Sequence, residues 1–174
     1  MSGLTVGDPR SPDTVVGPLV SGRQRERVEG YIQLGRDGGA KIATGGRRPS
    51  DQDTGFFVEP TLFYDIDNSM RIAREEIFGP VITVIPYRDE DEAVTIANDS
   101  RFGLGGAIFT ADIDRGTDLA RRIESGTVGV NFYNQNYNAP FGGYKESGLG
   151  RELGPEALDS YLQKKSIYRS GQHF

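Results

Sequence analysis

The sequence predicts a layered α/β fold, and three observations carry that prediction. Short β-branched or aromatic runs alternate with stretches of helical period. Clusters of Gly, Pro, Asp and Asn separate them. The chain has 174 residues, 36% hydrophobic and 26% charged, which is enough for a real core in a soluble globular protein.

The elements follow in order. "GDPRSPDTVVGP" is rich in Pro, Asp and Gly and reads as an irregular opening segment. In "VSGRQRERVEGYIQLGRDGGA", Ser21 with Gln24 three residues on is a capping-box pattern. Val28, Tyr31, Ile32 and Gly35 fall on one helical face, and Gly38-Gly39 supplies the stop. "GGRRPSDQDTG" is a loop, and "FFVEPTLFYDI" is extended and broken at Pro60. "VITVIPY" is a β-branched run that predicts a buried strand.

"DEDEAVTIAND" predicts a short helix capped by Asp89, with Glu92 completing the box and Ala93, Val94, Ile96 and Ala97 on the buried face. "GGAIFT" predicts a strand. "DIDRGTDLARRIESG" predicts a helix with Ile113, Ala120 and Ile123 inward and a stop at Gly126. "TVGVNFY" predicts another strand. The long polar loop "NQNYNAPFGGYKESGLGRELGP" follows, then a last helix opening with "EALDSYL" and a polar terminal strand "QKKSIYRS". Loops over about 12–15 residues are usually functional or disordered, so the 131–151 segment is the first place to seek a site.

Composition excludes several chemistries. The chain has no Cys, so it offers no disulfide, thiolate metal site or cysteine nucleophile. Its one His, His173, is penultimate, where chain ends usually fray. No usual nucleophile–base pair with Cys or His can be assembled. Net charge is −5 with scattered basic residues, which is no nucleic-acid footprint. No run approaches the ~18 apolar residues of a membrane span, and the first residues are not a secretory signal. The location expected on these grounds is cytoplasmic.

The segment "REEIFGPV" poses the sharpest question. Adjacent carboxylates cannot share one face, so at most one of Glu75 and Glu76 can meet a ligand. An inward carboxylate needs donors, and the cis-diol of a ribose would supply two. The pattern by itself favours a solvated acidic turn paired with Arg71 or Arg74. The glycines of "NAPFGGYKESGLGRE" invite a phosphate-loop reading, but "GLGRELG" is one residue too long for the dinucleotide fingerprint. Tight packing of the loop explains them better. Asn131 could orient a ligand but more simply pins its loop. Phe141 could line a pocket or plug the core, and Tyr133 and Tyr137 could wall a pocket or be half-buried tyrosines.

Taken together, "EEIFGPV", "IANDSRFGLGGAIFT" and "ESGTVGVNFYNQNYNAPFGGYKESGLGRE" resemble the aldehyde dehydrogenase superfamily, in that family's order. "GPLVSGRQRERVEGYIQLGRDGGAKIATGG" and "GFFVEPTLF" resemble it too. The resemblance covers nearly all of residues 4–169 and corresponds to the C-terminal third of a full-length member. It implies part of a layered α/β catalytic domain over 1–159, then an oligomerisation strand and tail over 160–174, with the cofactor domain absent.

The activity implied is oxidation of an aldehyde to a carboxylic acid with NAD or NADP. A cysteine thiolate, an oxyanion-holding Asn and a glutamate base perform it in the family. None of those residues is matched here, so no catalytic residue and no metal site is assigned. Glu76 resembles the glutamate that binds the nicotinamide-ribose hydroxyls, and Phe78 the aromatic beside the nicotinamide. Phe141 resembles a residue near the substrate end of the site. Residues 131–140, with Asn134 and Tyr137, resemble the loop that shapes the aldehyde tunnel. Two readings follow: an enzyme portion inactive alone, with an aldehyde substrate and a homo-oligomer or a missing N-terminal part as partners; or a non-catalytic protein that binds family members through its terminal strand.

Overall fold

A computed structural model describes residues 1–171; His173 lies outside them. The chain divides into two compact units, Met1–Tyr87 and Arg88–Phe174.

The first unit is built on helix α1, Gly22–Asp37. Ser21 caps it, its Oγ accepting from the Gln24 N–H at 3.2 Å. Val28, Tyr31, Ile32 and Gly35 are its buried residues, as their spacing predicts. A three-stranded sheet runs β1-β2-β3, with β1 at Lys41–Thr44, β2 at Thr61–Tyr64 and β3 at Val81–Thr83. β1 pairs antiparallel and β2 with β3 parallel, Thr61 opposite Val81. Strand β2 begins just after Pro60, which cannot donate to a ladder. The short helix α2, Arg71–Arg74, lies between β2 and β3.

The core gathers Val28, Tyr31, Ile32, Ala40, Val58, Phe63, Ile66, Ile72 and Ile77. Thr61 is fully buried with both hydrogen-bonding roles of its hydroxyl used: it donates to the Glu59 carbonyl and accepts from the Gly46 N–H, each at 2.8 Å. "VITVIPY" departs from its prediction. Only Val81–Thr83 forms a strand, and Ile82 and Val84 are exposed. Burial alternates along the run: Val81 and Ile85 pack against the core while Ile82 and Val84, on the opposite face, have no covering layer within this unit.

The second unit contains helix α3, Glu90–Asn98, and helix α4, Ile113–Arg122. Asp89 and Asp112 cap them through their carboxylates. Strand β5, Gly105–Ile108, pairs parallel with β6, Thr127–Val130, and α4 connects them. Strand β4, Phe102–Gly103, pairs antiparallel with β7, Tyr144–Lys145, inside the long loop.

The predicted inner faces of both helices need correction. No residue of α3 is fully buried and Ala97 is exposed. In α4 the buried residue is Gly116, while Ile113 is exposed. A β-carbon on Gly116 would meet Thr110 and Val130, so the helix packs through its backbone there. "EALDSY" lies within a 3₁₀ helix, η1, Pro155–Tyr161, rather than an α-helix, and Leu162 follows it. "QKKSIYRS" joins no sheet among the described residues. No helix among them is long and apolar enough to cross a membrane.

Candidate functional site

Helix α1 presents a polar stripe to the segment 75–79. Gln24, Arg27 and Tyr31 lie at spacings of three and four, hence on one face. Each holds a successive part of the acidic turn. The Tyr31 hydroxyl donates to Glu75 Oε2 at 2.6 Å. Arg27 donates to the Glu76 main-chain carbonyl at 2.6 Å. Gln24 Nε2 donates to the carbonyls of Ile77, at 3.2 Å, and Phe78, at 2.9 Å. The guanidinium of Arg27 also stacks 5.1 Å from the Tyr31 ring centroid.

The two glutamates are thereby separated. Glu75 receives Tyr31 and a two-pronged pair from Arg71, at 2.8 and 2.9 Å. That carboxylate holds the Tyr31 proton in place and pushes the phenol above its ordinary value of 10.0, with burial adding to the shift. Glu76 is exposed, and among the described residues no protein donor engages its carboxylate. Phe78 adopts φ 56°, a conformation uncommon for a bulky side chain, and its ring is 69% exposed. An open cleft of about 520 Å³ lies beside it, lined by Ser21, Arg23, Gln24, Arg27 and Phe78. A free carboxylate and a presented aromatic ring therefore stand two residues apart on a backbone held by hydrogen bonds.

In the second unit, Asn131 ends β6 in the left-handed region, φ 59°. Its side chain pins the neighbouring chain: Oδ1 accepts from the Thr110 N–H and Nδ2 donates to the Thr110 carbonyl, both at 2.7 Å. The loop beyond forms a cavity of about 370 Å³ whose walls include Phe132, Tyr133, Asn134, Gln135 and Phe141. Phe141 is fixed by two backbone hydrogen bonds with Glu152. Asn134 and Phe141 thus share one cavity, mixed in aromatic and amide character. Tyr137 is not among its lining residues and is exposed.

Gly142 and Gly143 in this loop serve packing, whereas Gly148 and Gly150 stand in open space at φ 125° and 82°. A β-carbon on Gly126 would collide with the Gly142 carbonyl, so only glycine lets the loop lie against the start of β6. Arg151 donates to the carbonyls of Gly143 and Gly150 and lies over the Tyr144 ring. Among the described residues no group of three or more His, Cys, Asp or Glu is placed to hold a metal.

Sequence reasoning missed the stripe on α1. It assigned Gln24 to a capping box, but the reciprocal half is not made, because that side chain reaches the 77–78 carbonyls instead. The available signal was the spacing of Gln24, Arg27 and Tyr31 on a helix whose apolar face is otherwise clear.

The model of the aldehyde dehydrogenase family matches residues 1–167. Geranial dehydrogenase from Castellaniella defragrans is 54% identical over 171 residues, covering 98% of this chain and 35% of that protein. Betaine aldehyde dehydrogenase from Brucella melitensis is 49% identical, over 95% of this chain and 34% of that protein. Among solved structures, Mycobacterium tuberculosis aldehyde dehydrogenase complexed with NAD+ superposes with a TM-score of 0.94 at 48% identity, over 99% of this chain and 36% of that one. The chain spans about a third of the length of these relatives.

Proposed function

Because this chain belongs to the aldehyde dehydrogenase family, we propose that it forms the cofactor-contacting and substrate-shaping part of an enzyme that oxidises an aldehyde to a carboxylic acid with NAD or NADP. The observation that carries this reading is the separation of the glutamates. Glu75 is taken up by Tyr31 and Arg71, and Glu76 is left with both oxygens free to accept. A nicotinamide-ribose diol presents two adjacent donors, which one carboxylate can receive. Phe78, exposed two residues on, is placed to pack beside a flat ring. The residues present therefore fit the group.

The bound dinucleotide supplies the hydride acceptor. This chain's part is orientation. Glu76 fixes the ribose, Phe78 limits the nicotinamide's position, and the cavity of Phe132, Tyr133, Asn134 and Phe141 receives the aldehyde's side chain. Aromatic walls with amide groups suit an aldehyde carrying both apolar and polar parts. The chain has no cysteine, so the thiolate that attacks the aldehyde carbon comes from polypeptide other than these residues, and the 174-residue chain alone does not turn over. The 163–170 segment, which joins no sheet of its own chain and exposes Ile167 and Tyr168, is assigned to strand addition on a neighbouring subunit. That same segment supports the second reading, a non-catalytic protein that associates with family members.

The test is a chimera in which residues 1–167 replace the matching part of the Mycobacterium tuberculosis enzyme. NADH or NADPH formation from an aldehyde is expected in the chimera and not in the isolated chain. Steady turnover by the isolated chain removes the claim of dependence. A folded chimera that binds neither dinucleotide removes the cofactor reading and favours the non-catalytic one.

A further inference from the structure

We propose that Gln24 and Arg27 are positioning residues, which set the geometry of the 76–78 turn and through it the aim of Glu76 and Phe78. Its consequence rests on the cofactor reading, and its substance on hydrogen bonds from two side chains of α1 to the turn's carbonyls.

Three consecutive carbonyls, of Glu76, Ile77 and Phe78, are held by two side chains one helical turn apart. Gln24 uses its amide group on two carbonyls, and Arg27 adds a charge-assisted bond. Such continuous restraint is more than a turn requires. Its need is visible at Phe78, whose left-handed backbone is disfavoured for an aromatic residue and persists only if its surroundings hold it. Gln24 holds the carbonyl of that same residue. Val28, the residue after Arg27, is completely buried and lies against Gly79, so the helix cannot shift without moving the turn. Tyr31 completes the sorting by engaging Glu75. The stripe therefore decides which carboxylate stays exposed without a protein donor and fixes the Phe78 ring two residues on. Neither Gln24 nor Arg27 needs to touch a reacting atom.

The test reads the turn without cofactor and then with it. In the 174-residue chain, amide exchange is followed at Glu75 and Val81, whose N–H groups donate to the Arg71 and Gly79 carbonyls on either side of the turn. Gln24→Met and Arg27→Met are each expected to speed exchange at both amides about tenfold, with the remaining α1 amides unchanged. Arg27→Lys, which still donates, restores protection. In the chimera, the same Met variants are expected to raise the KM for the dinucleotide about tenfold with the aldehyde KM within about twofold. Unchanged exchange at Glu75 and Val81, or loss of protection throughout α1, overturns the inference. Failure of the cofactor reading shows differently: Glu76→Gln leaves the dinucleotide KM unchanged while the exchange result still holds.

Discussion

Gly79 lies so close to Val28 that a β-carbon on it would come within 2.5 Å of the valine Cγ2. The acidic turn is thus pressed onto the buried face of α1, and no larger residue fits without moving helix or turn. Gly79→Ala is expected to destabilise the protein by about 1–3 kcal/mol, read as a lower melting temperature. An unchanged melt would show that the contact is slack.

The Tyr31–Glu75 hydrogen bond makes stability sensitive to alkali. The phenol's value is raised above 10.0 in the folded chain, so the bond contributes fully below that value and is lost as pH rises through the raised one. Tyr31→Phe should cost about 1 kcal/mol near neutrality and flatten the decline in stability above about pH 10. Denaturant midpoints taken across that range decide it; parallel curves for the two proteins reject the linkage.

The paired glutamates should respond differently to the same change. Glu76→Gln in the chimera is expected to raise the dinucleotide KM by about tenfold and leave the melt in place. Glu75→Gln should instead lower the melt, because it weakens the acceptor shared by Tyr31 and Arg71. Equal effects on cofactor binding would reject the assignment of roles.

Asn131 should matter to the second unit. Asn131→Ala removes two hydrogen bonds to Thr110 and places a β-carbon residue without a polar side chain at φ 59°. The expected cost is about 2–3 kcal/mol. Asn131→Gly, which tolerates the backbone, should recover part of it in the same thermal measurement.

The isolated chain is expected to self-associate or to be marginally folded. Leu149 is 100% exposed and Tyr168 93% exposed, and the 163–170 segment offers unpaired backbone. A monodisperse monomer with a sharp, cooperative melt in light scattering and calorimetry would contradict this.

Local structure was legible wherever the deciding contacts are local. Ser21 and Asp89 cap helices through an N–H three residues on, and the period of Val28, Tyr31, Ile32 and Gly35 marks the buried face of α1. Legibility failed where a distant neighbour decides. The β-branched run at 81–87 looks buried throughout, yet only one face, with Val81 and Ile85, packs on the core, while Ile82 and Val84 are exposed. Ile113 fits a helical face, but α4 packs through Gly116, next to Thr110 and Val130.

The sequence by itself determined helices α1, α3 and α4, the caps Ser21 and Asp89, the family and the fact that only one of two adjacent carboxylates can serve a ligand. Alternation of neighbouring side chains is a property of the backbone, so that conclusion needed no tertiary structure. Which carboxylate remains free was decided only in three dimensions. Tyr31 lies 44 residues from Glu75 in the chain, and Arg27 and Gln24 about as far from the carbonyls they hold. No local period encodes such pairs, because they exist only once α1 has buried Val28 against the turn.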